Sequence, residues 1–527
     1  MKKKRVIQGL SILLTVLLFA SGCTSAPAEP SSPPAYSAAV SAEAGVVYEA
    51  PETPYDTSAE EYGSFVESGY HSPLEDPLST FSIDVDTASY SNIRRYLNDG
   101  ALPPADAVRV EECINYFTYD YEEPLGSDPI RAQVTISDCP WNDGRYLARV
   151  SLKAREIDLS EAPPSNLVFL LDVSGSMDEP AKLPLVKDAM RMLADTLREE
   201  DRVSIVVYAG ASGLVLDGCS GANIRVIEEA INHLTAGGST AGGEGIELAY
   251  RTAEAYFIEG GNNRVILCTD GDFNVGPSST EALEALIEDK KETGVYLSVL
   301  GFGTGNTKDN KMETLADKGN GNYAYIDSLL EAQKVLVNEM SGTLFAMADD
   351  VKVQVEFNPA AVSEYRLVGY DNRILNPEDF NNDHKDSGEM GAGDSVTVFY
   401  EIIPVGGEGS ASIDDLVFQQ DSEELPAKQP ADDWLYLKVR YKQPGSGESQ
   451  LITVYAGAAD YTAEPDADFR FASAVAEFAL LLKDSEYAGD ASFESLTGRA
   501  REARGADEDG YRAQFVQLAE LARAMMH

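Results

Sequence analysis

The run Asn166–Met177, NLVFLLDVSGSM, decides the architecture of this chain. Leu167 to Leu171 is short, continuously apolar and bounded by turn-formers, so it reads as a parallel strand buried on both faces. The strand ends at Asp172, and Gly175 opens a tight loop. Ligands of open α/β sheets sit outside the carboxyl ends of the strands. Asp172, Ser174 and Ser176 set three oxygen-bearing side chains around that edge, and oxygen is what hard cations take as ligand. The plainer alternative is that Asp172 and the serines cap the next helix.

Two later segments speak against mere capping. GGST offers Thr240, and VILCTDGD offers Asp270 at the end of a second apolar strand. Together with D-x-S-x-S they resemble, in order and spacing, the metal-ion-dependent adhesion site of von Willebrand factor type A domains. The resemblance implies a divalent cation held directly or through water by Asp172, Ser174, Ser176, Thr240 and Asp270. It also implies an exchangeable position that an acidic side chain of a protein partner can take. Mg²⁺ is the expected ion, with Mn²⁺ and Ca²⁺ as the others to test; Mg²⁺ keeps several waters in its octahedral shell.

Around this run the pattern is α/β from residue 165 to 347. Strands are expected at Leu167–Leu171, Arg202–Tyr208, Arg264–Thr269, Tyr296–Gly301 and Tyr323–Ile326. Helices are expected at Lys182–Glu199, Asn223–Thr235, Gly245–Phe257, Thr280–Thr293, Asp309–Lys318 and Ser328–Phe345. Such alternation gives a doubly wound, mostly parallel, Rossmann-like sheet with right-handed crossovers. Every βα loop then lies on one edge, where Ser174 and Asp270 converge and the GGST loop must reach.

The flanks differ in style. RAQVTISD and YLARVSLK before the α/β region, and VKVQVEF, YRLVGY, SVTVFYEI, WLYLKVRY and QLITVYA after it, alternate in polarity as half-buried antiparallel strands do. We expect one β domain built from both flanks, with the α/β domain inserted. Helices are expected at Ala88–Asp99 and Ala105–Phe117, and a helical segment from Asp466, closing with Tyr511–Met526. The resulting partition is 1–22 leader, 23–78 disordered tether, 79–164 N-terminal α+β segment, 165–347 α/β domain, 348–465 β-rich domain and 466–527 helical segment. FSIDVDTASYSNIRRYL, VRVEECINYF and LADKGNGNYAYID extend the resemblance to bacterial von Willebrand factor A lipoproteins, whose C-terminal domain has no assigned function.

The N-terminus reads as an export signal: Lys2–Arg5 precede an apolar run from Val6 to Ala20. That run is shorter than the ~20 residues that span a bilayer. It ends in Ala20-Ser21-Gly22-Cys23, which resembles a lipoprotein cleavage box with Cys23 as the lipidated residue; Ala20 stands where Leu is usual. The following Ala/Pro/Ser/Glu-rich segment buries too little apolar surface to fold. The chain has 527 residues, 88 acidic and 41 basic, for a formal charge of −47. That excess excludes nucleic acid as a partner, because phosphate backbones require basic patches. Membrane attachment is therefore expected through lipid on Cys23, on the cell surface or in the periplasm. Cys113 and Cys139 are candidates for a disulfide that spacing alone does not decide.

Enzyme readings are weaker. Ile83-Asp84-Val85-Asp86-Thr87 resembles the D-x-D-x-T motif of haloacid-dehalogenase-type phosphatases, with Asp84 as nucleophile and Asp86 as acid/base, but the flanking sequence does not supply that fold. The DGDFN run at Asp270 lacks the mid-loop Gly of an EF-hand, having Val275 there. None of the four histidines lies in a hydrolase motif. The expectation is a binding protein and not an enzyme, with an envelope scaffold carrying a structural metal as the first alternative and a phosphatase-like enzyme as the second.

Overall fold

In the computed structural model, placement is described for residues 60, 62–158, 162–209, 212–238, 242–271, 280–304, 308–339, 345–383, 385, 387–407 and 432–526. The leader, Cys23, Thr240 and Asp272 lie outside them. The chain opens with β1 (Leu78–Ser82), α1 (Ala88–Asn98), α2 (Val110–Asn115), β2 (Ile130–Asp138) and β3 (Tyr146–Ala154). The helix expected over Ala105–Phe117 is divided into a 3₁₀ turn at Ala105–Ala107 and α2. Val108 and Arg109 between them are extended, which no continuous helix tolerates.

The inserted domain follows: β4 (Ser165–Asp172), α3 (Leu183–Ala194), β5 (Arg202–Tyr208), β6 (Ser212–Ser220), α4 (Ile224–Asn232), α5 (Gly242–Ala255), β7 (Asn262–Thr269), α6 (Thr280–Lys291), β8 (Tyr296–Phe302), α7 (Asp309–Lys318), β9 (Tyr323–Ile326) and α8 (Leu329–Gln333). The sheet order is β6-β5-β4-β7-β8-β9. All neighbours are parallel except the β5–β6 pair. β4 and β7 are buried along their whole length, with the continuous apolar runs Leu167–Leu171 and Val265–Cys268 at their centres. β6 is absent from the sequence reading because this edge strand buries little: Leu216 reaches the core, but Leu214 and Val215 are exposed, and its register with β5 shifts twice. Of the long last helix expected over Ser328–Phe345, residues 340–344 lie outside the described residues, and the part before them is not one regular α-helix. Ser328 caps α8 by accepting from Glu331 N, and α8 passes into a π turn at Lys334–Asn338.

After the insertion come β10 (Ala346–Phe357), β11 (Val362–Val368), β12 (Met390–Gly391), β13 (Ser395–Pro404), β14 (Asp433–Lys442) and β15 (Ser449–Gly457). They join the N-terminal strands in two antiparallel sheets, ordered β1-β10-β14-β15, with β12 on β10, and β11-β13-β3-β2. β1 pairs with β10, and β3 pairs with β13 over Lys153↔Ser395 to Tyr146↔Ile402. Residues 79–164 and 348–465 are thus not separate domains. They close one sandwich whose core takes Val150 and Leu152 from one flank and Val353, Val398 and Leu437 from the other. The last helices, α9 (Ala467–Leu482), α10 (Phe493–Glu502) and α11 (Tyr511–Met526), share a core with α1 and α2. Phe117, Phe471, Phe478 and Phe515 meet there edge to face.

The boundary of the tether moves. Residues 62–77 belong to the folded body: Ser68 N donates to Asp371 at 2.9 Å, His71 bridges to Tyr365, and Glu67 pairs with Arg366 at 3.3 Å. Polar fastening of this kind leaves no hydrophobic period in sequence. Cys113 and Cys139 are both buried free thiols, so the disulfide is not formed.

Candidate metal centre

β4 delivers Asp172 to the carboxyl edge of the sheet, with 1% of its surface exposed. Asp172 Oδ1 accepts the Ser174 backbone N–H at 2.8 Å, which turns the chain sharply out of the strand. A 3₁₀ turn at Gly175–Met177 then stacks the two serines, with Ser174 Oγ 3.0 Å from Ser176 Oγ. Ser174 is buried and Ser176 exposed, so the oxygens run from the interior to solvent. Neither serine nor Asp172 caps α3, whose N-cap is Lys182 without a side-chain bond. The capping alternative fails on that point.

Gly237 and Gly238, the first half of GGST, reach the same edge. Gly237 N donates to Val173 O at 2.8 Å, and Gly175 N donates to Gly238 O at 3.1 Å. Gly238 has φ +90, a left-handed conformation that glycine adopts without strain. Thr240, two residues on, lies outside the described residues. Asp270 is also brought in: β7 neighbours β4, with Leu171 opposite Cys268, and Asp270 follows that strand 1% exposed. Its Oδ2 accepts from Lys182 Nζ at 3.1 Å. Sequence reasoning missed Lys182, because a lone lysine in the run DEPAKLP looks like a solvated loop residue.

Burial pushes the Asp172 carboxyl up to about 6; the Ser174 hydrogen bonds oppose this and Asp270 adds to it. Asp172 Oδ2 is sealed from solvent, and the Tyr208 hydroxyl is a further polar neighbour of the carboxyl that opposes the shift. A buried carboxylate oxygen beside two hydroxyls, with a second buried carboxylate one strand away, is a donor set that fits a small hard cation.

A different acidic cluster does not. Asp84, Asp86 and Glu313 bring carboxylate oxygens within 4.8 Å of one another. Arg373 already occupies the centre: Nε lies 3.1 Å from Asp84, and Nη2 lies 3.3 Å from Asp86 and 3.0 Å from Glu313. Asp84 Oδ1 is taken by Asp86 N, and Asp86 Oδ1 by Tyr323 N of β9. These carboxylates sew the N-terminal segment to the inserted domain, and both oxygens of Asp84 are engaged in that fastening. In the acidic loop from Glu378 to Asp394, Asp383 accepts from Arg440 and Ser449, and Asp379 from Asn376; Asp386 lies outside the described residues.

Three family descriptions match the chain: "von Willebrand factor" over residues 56–149, "von Willebrand factor type A domain" over 166–339, and "Uncharacterized protein YfbK, C-terminal" over 342–525. "Uncharacterized protein YfbK" of Escherichia coli K12 is 44% identical over 471 residues, which are 88% of this chain and 80% of the relative. The chain belongs to the YfbK family of von Willebrand factor A proteins. A smaller match, over 35% of this chain and 43% of the relative, is the 33% identical sll0103 protein of Synechocystis. Human inter-alpha-trypsin inhibitor heavy chain H3 is 28% identical over 30% of this chain and 18% of its own length. Among solved structures, von Willebrand factor type A from Catenulispora acidiphila is 17% identical, covering 77% of this chain and 91% of that one at TM-score 0.41. Proximal thread matrix protein 1 of the mussel byssus, whose adhesion motif holds zinc, is 24% identical over 34% and 45%, at TM-score 0.28.

Proposed function

We propose that the chain is an exported, lipid-anchored binding protein that captures a protein partner through a divalent cation. Asp172, Ser174, Ser176, Thr240 and Asp270 would hold the ion, Mg²⁺ foremost. The cation, when bound, supplies an electrophilic position for the carboxylate of an acidic side chain. The observation that carries this reading is the Asp172 carboxylate, buried beside the Ser174 and Ser176 hydroxyls at the sheet's carboxyl edge. The chain's own residues do the rest: Oδ1 of Asp172 fixes the loop, and the backbone of Gly237 and Gly238 is bonded to that of Val173 and Gly175.

Calorimetry with Mg²⁺ and Mn²⁺ on the purified protein tests it, beside Asp172→Ala. Binding in the parent and none in a folded Asp172→Ala supports the site; no binding in the parent removes it. Thr240→Ala then separates adhesion from scaffolding, since only an adhesion role loses partner capture while the protein stays assembled. Attachment through Cys23 is read by incorporation of labelled palmitate, expected in the parent and lost in Cys23→Ser.

A further inference from the structure

Lys182 is placed where a lysine is seldom found. Its side chain is 3% exposed, although four methylenes would let the ammonium reach water. The stem runs under Gly303: a Cβ there would stand 2.4 Å from both Cγ and Cε of Lys182. Gly303 has φ +76, and its carbonyl accepts from the Tyr325 hydroxyl, so the groove is fixed by backbone and not by a yielding side chain. The head group ends on Asp270 Oδ2 at 3.1 Å. A second acidic contact, Glu179 Oε1 at 3.6 Å, is more than half exposed and screened by water.

We propose that Lys182 is a fixed counter-ion of the metal centre. It holds Asp270 through Oδ2, withholds one carboxylate charge from the cation, and makes tight metal binding depend on an anionic ligand. The assignment rests on the adhesion-site reading and deepens it. Asp172, Asp270 and Lys182 together carry one negative charge. A bound divalent cation turns that to one positive, and a carboxylate from a partner brings it to zero. Without Lys182, metal alone would neutralise the two carboxylates, and an added carboxylate would leave a net negative site. The lysine thereby tunes the centre toward a carboxylate and against holding the ion alone.

The test is calorimetric titration of Mn²⁺, with and without saturating acetate, on the parent protein, Lys182→Met, Lys182→Gln and Asp172→Ala. Acetate is expected to tighten Mn²⁺ binding by the parent. Lys182→Met, which keeps the stem in the Gly303 groove, is expected to bind Mn²⁺ alone about tenfold tighter or more and to lose the acetate effect, as expected when one unit charge a few ångströms away is removed. Lys182→Gln, which retains a donor to Asp270, should behave the same way. Mn²⁺ affinity equal to or below the parent's in either lysine variant, with an unchanged near-ultraviolet circular dichroism spectrum, overturns the proposal. So does parental Mn²⁺ binding that is indifferent to acetate, a result that needs no variant to fold. If the parent binds Mn²⁺ and Asp172→Ala does not, such a failure leaves the adhesion site standing. If the parent takes no Mn²⁺ at all, the site itself falls and Lys182's role with it.

Discussion

Arg94 on α1 closes a two-point ion pair with Asp327, at the entrance to the last helix of the inserted domain: Nε lies 2.7 Å from Oδ2 and Nη2 2.5 Å from Oδ1. The same Nη2 is 2.7 Å from Glu331 Oε2, which also accepts from the Tyr116 hydroxyl at 2.7 Å. All of these groups are buried. The inserted domain is therefore fastened to its host by charge as well as by chain connection. Arg94→Met leaves Asp327 and Glu331 without their guanidinium, and removing one partner of a buried pair typically destabilises by about 3–5 kcal/mol. Urea denaturation should show that loss, and the transition of the inserted domain should separate from that of the sandwich. A single unshifted transition would show the fastening to be idle.

Asp172→Asn should raise stability in metal-free buffer. The carboxyl is held near 6 in the folded chain against 3.8 unfolded, so the folded state keeps a proton that the unfolded state has already released between those values. Ionised Asp172 therefore weighs against folding at pH 7, by about 3 kcal/mol for a shift of that size. Scanning calorimetry in chelator at pH 7 should give a higher melting temperature for the variant. Addition of Mn²⁺ should raise the parent's melting temperature and leave the variant's unchanged.

Asp309 gives a second, metal-independent slope. Burial pushes it up to about 6, with Arg109 opposing and Glu313 reinforcing the shift. Arg109 is 3.3 Å from Asp309, 3.1 Å from Glu112 and 2.5 Å from Glu313, so one guanidinium serves three carboxylates. A raised carboxyl pKa contributes stability at low pH that is lost as pH rises through the folded value. In chelator, Asp309→Asn should flatten the fall in stability between about pH 4 and pH 6. An identical profile in parent and variant would assign the slope to other groups.

What the sequence disclosed follows from where its signal is strong. β4 and β7 have continuous apolar centres, β2 and β3 alternate in polarity, and α7 and α11 start and stop where their periodicity does. That Asp172, Ser174, Ser176 and Asp270 lie at one edge of the sheet was legible because strand ends and a spacing constrain them together. Lys182, Arg94, Arg109 and Arg373 were not. Each acts on carboxylates far away in the chain, and a buried arginine looks like any other arginine until the fold supplies its partners. β6 was hidden for the opposite reason: it packs too little to carry a pattern. Residues 62–77 dock through single hydrogen bonds and ion pairs, which leave no period to read.

The sandwich makes a prediction about fragments. β13 is central in its sheet, between β11 from the same flank and β3 from the other. A fragment of residues 345–465 would keep β10, β14 and β15 in order but would expose β13's edge to β3, where Val150, Leu152, Val396 and Val398 are all fully buried. An unpaired hydrophobic edge of that kind aggregates or unfolds. Limited proteolysis should therefore not release 345–465 as a stable piece. The fragment expressed alone should lack a cooperative melting transition, and a fragment of residues 60–158 supplied in trans should restore one by returning β1, β2 and β3. Independent cooperative melting of 345–465 would mean that the strands before the insertion only lean on a domain already complete. The pairing of β1 with β10 and of β3 with β13, each along five or more residues, argues that they are structural members of it.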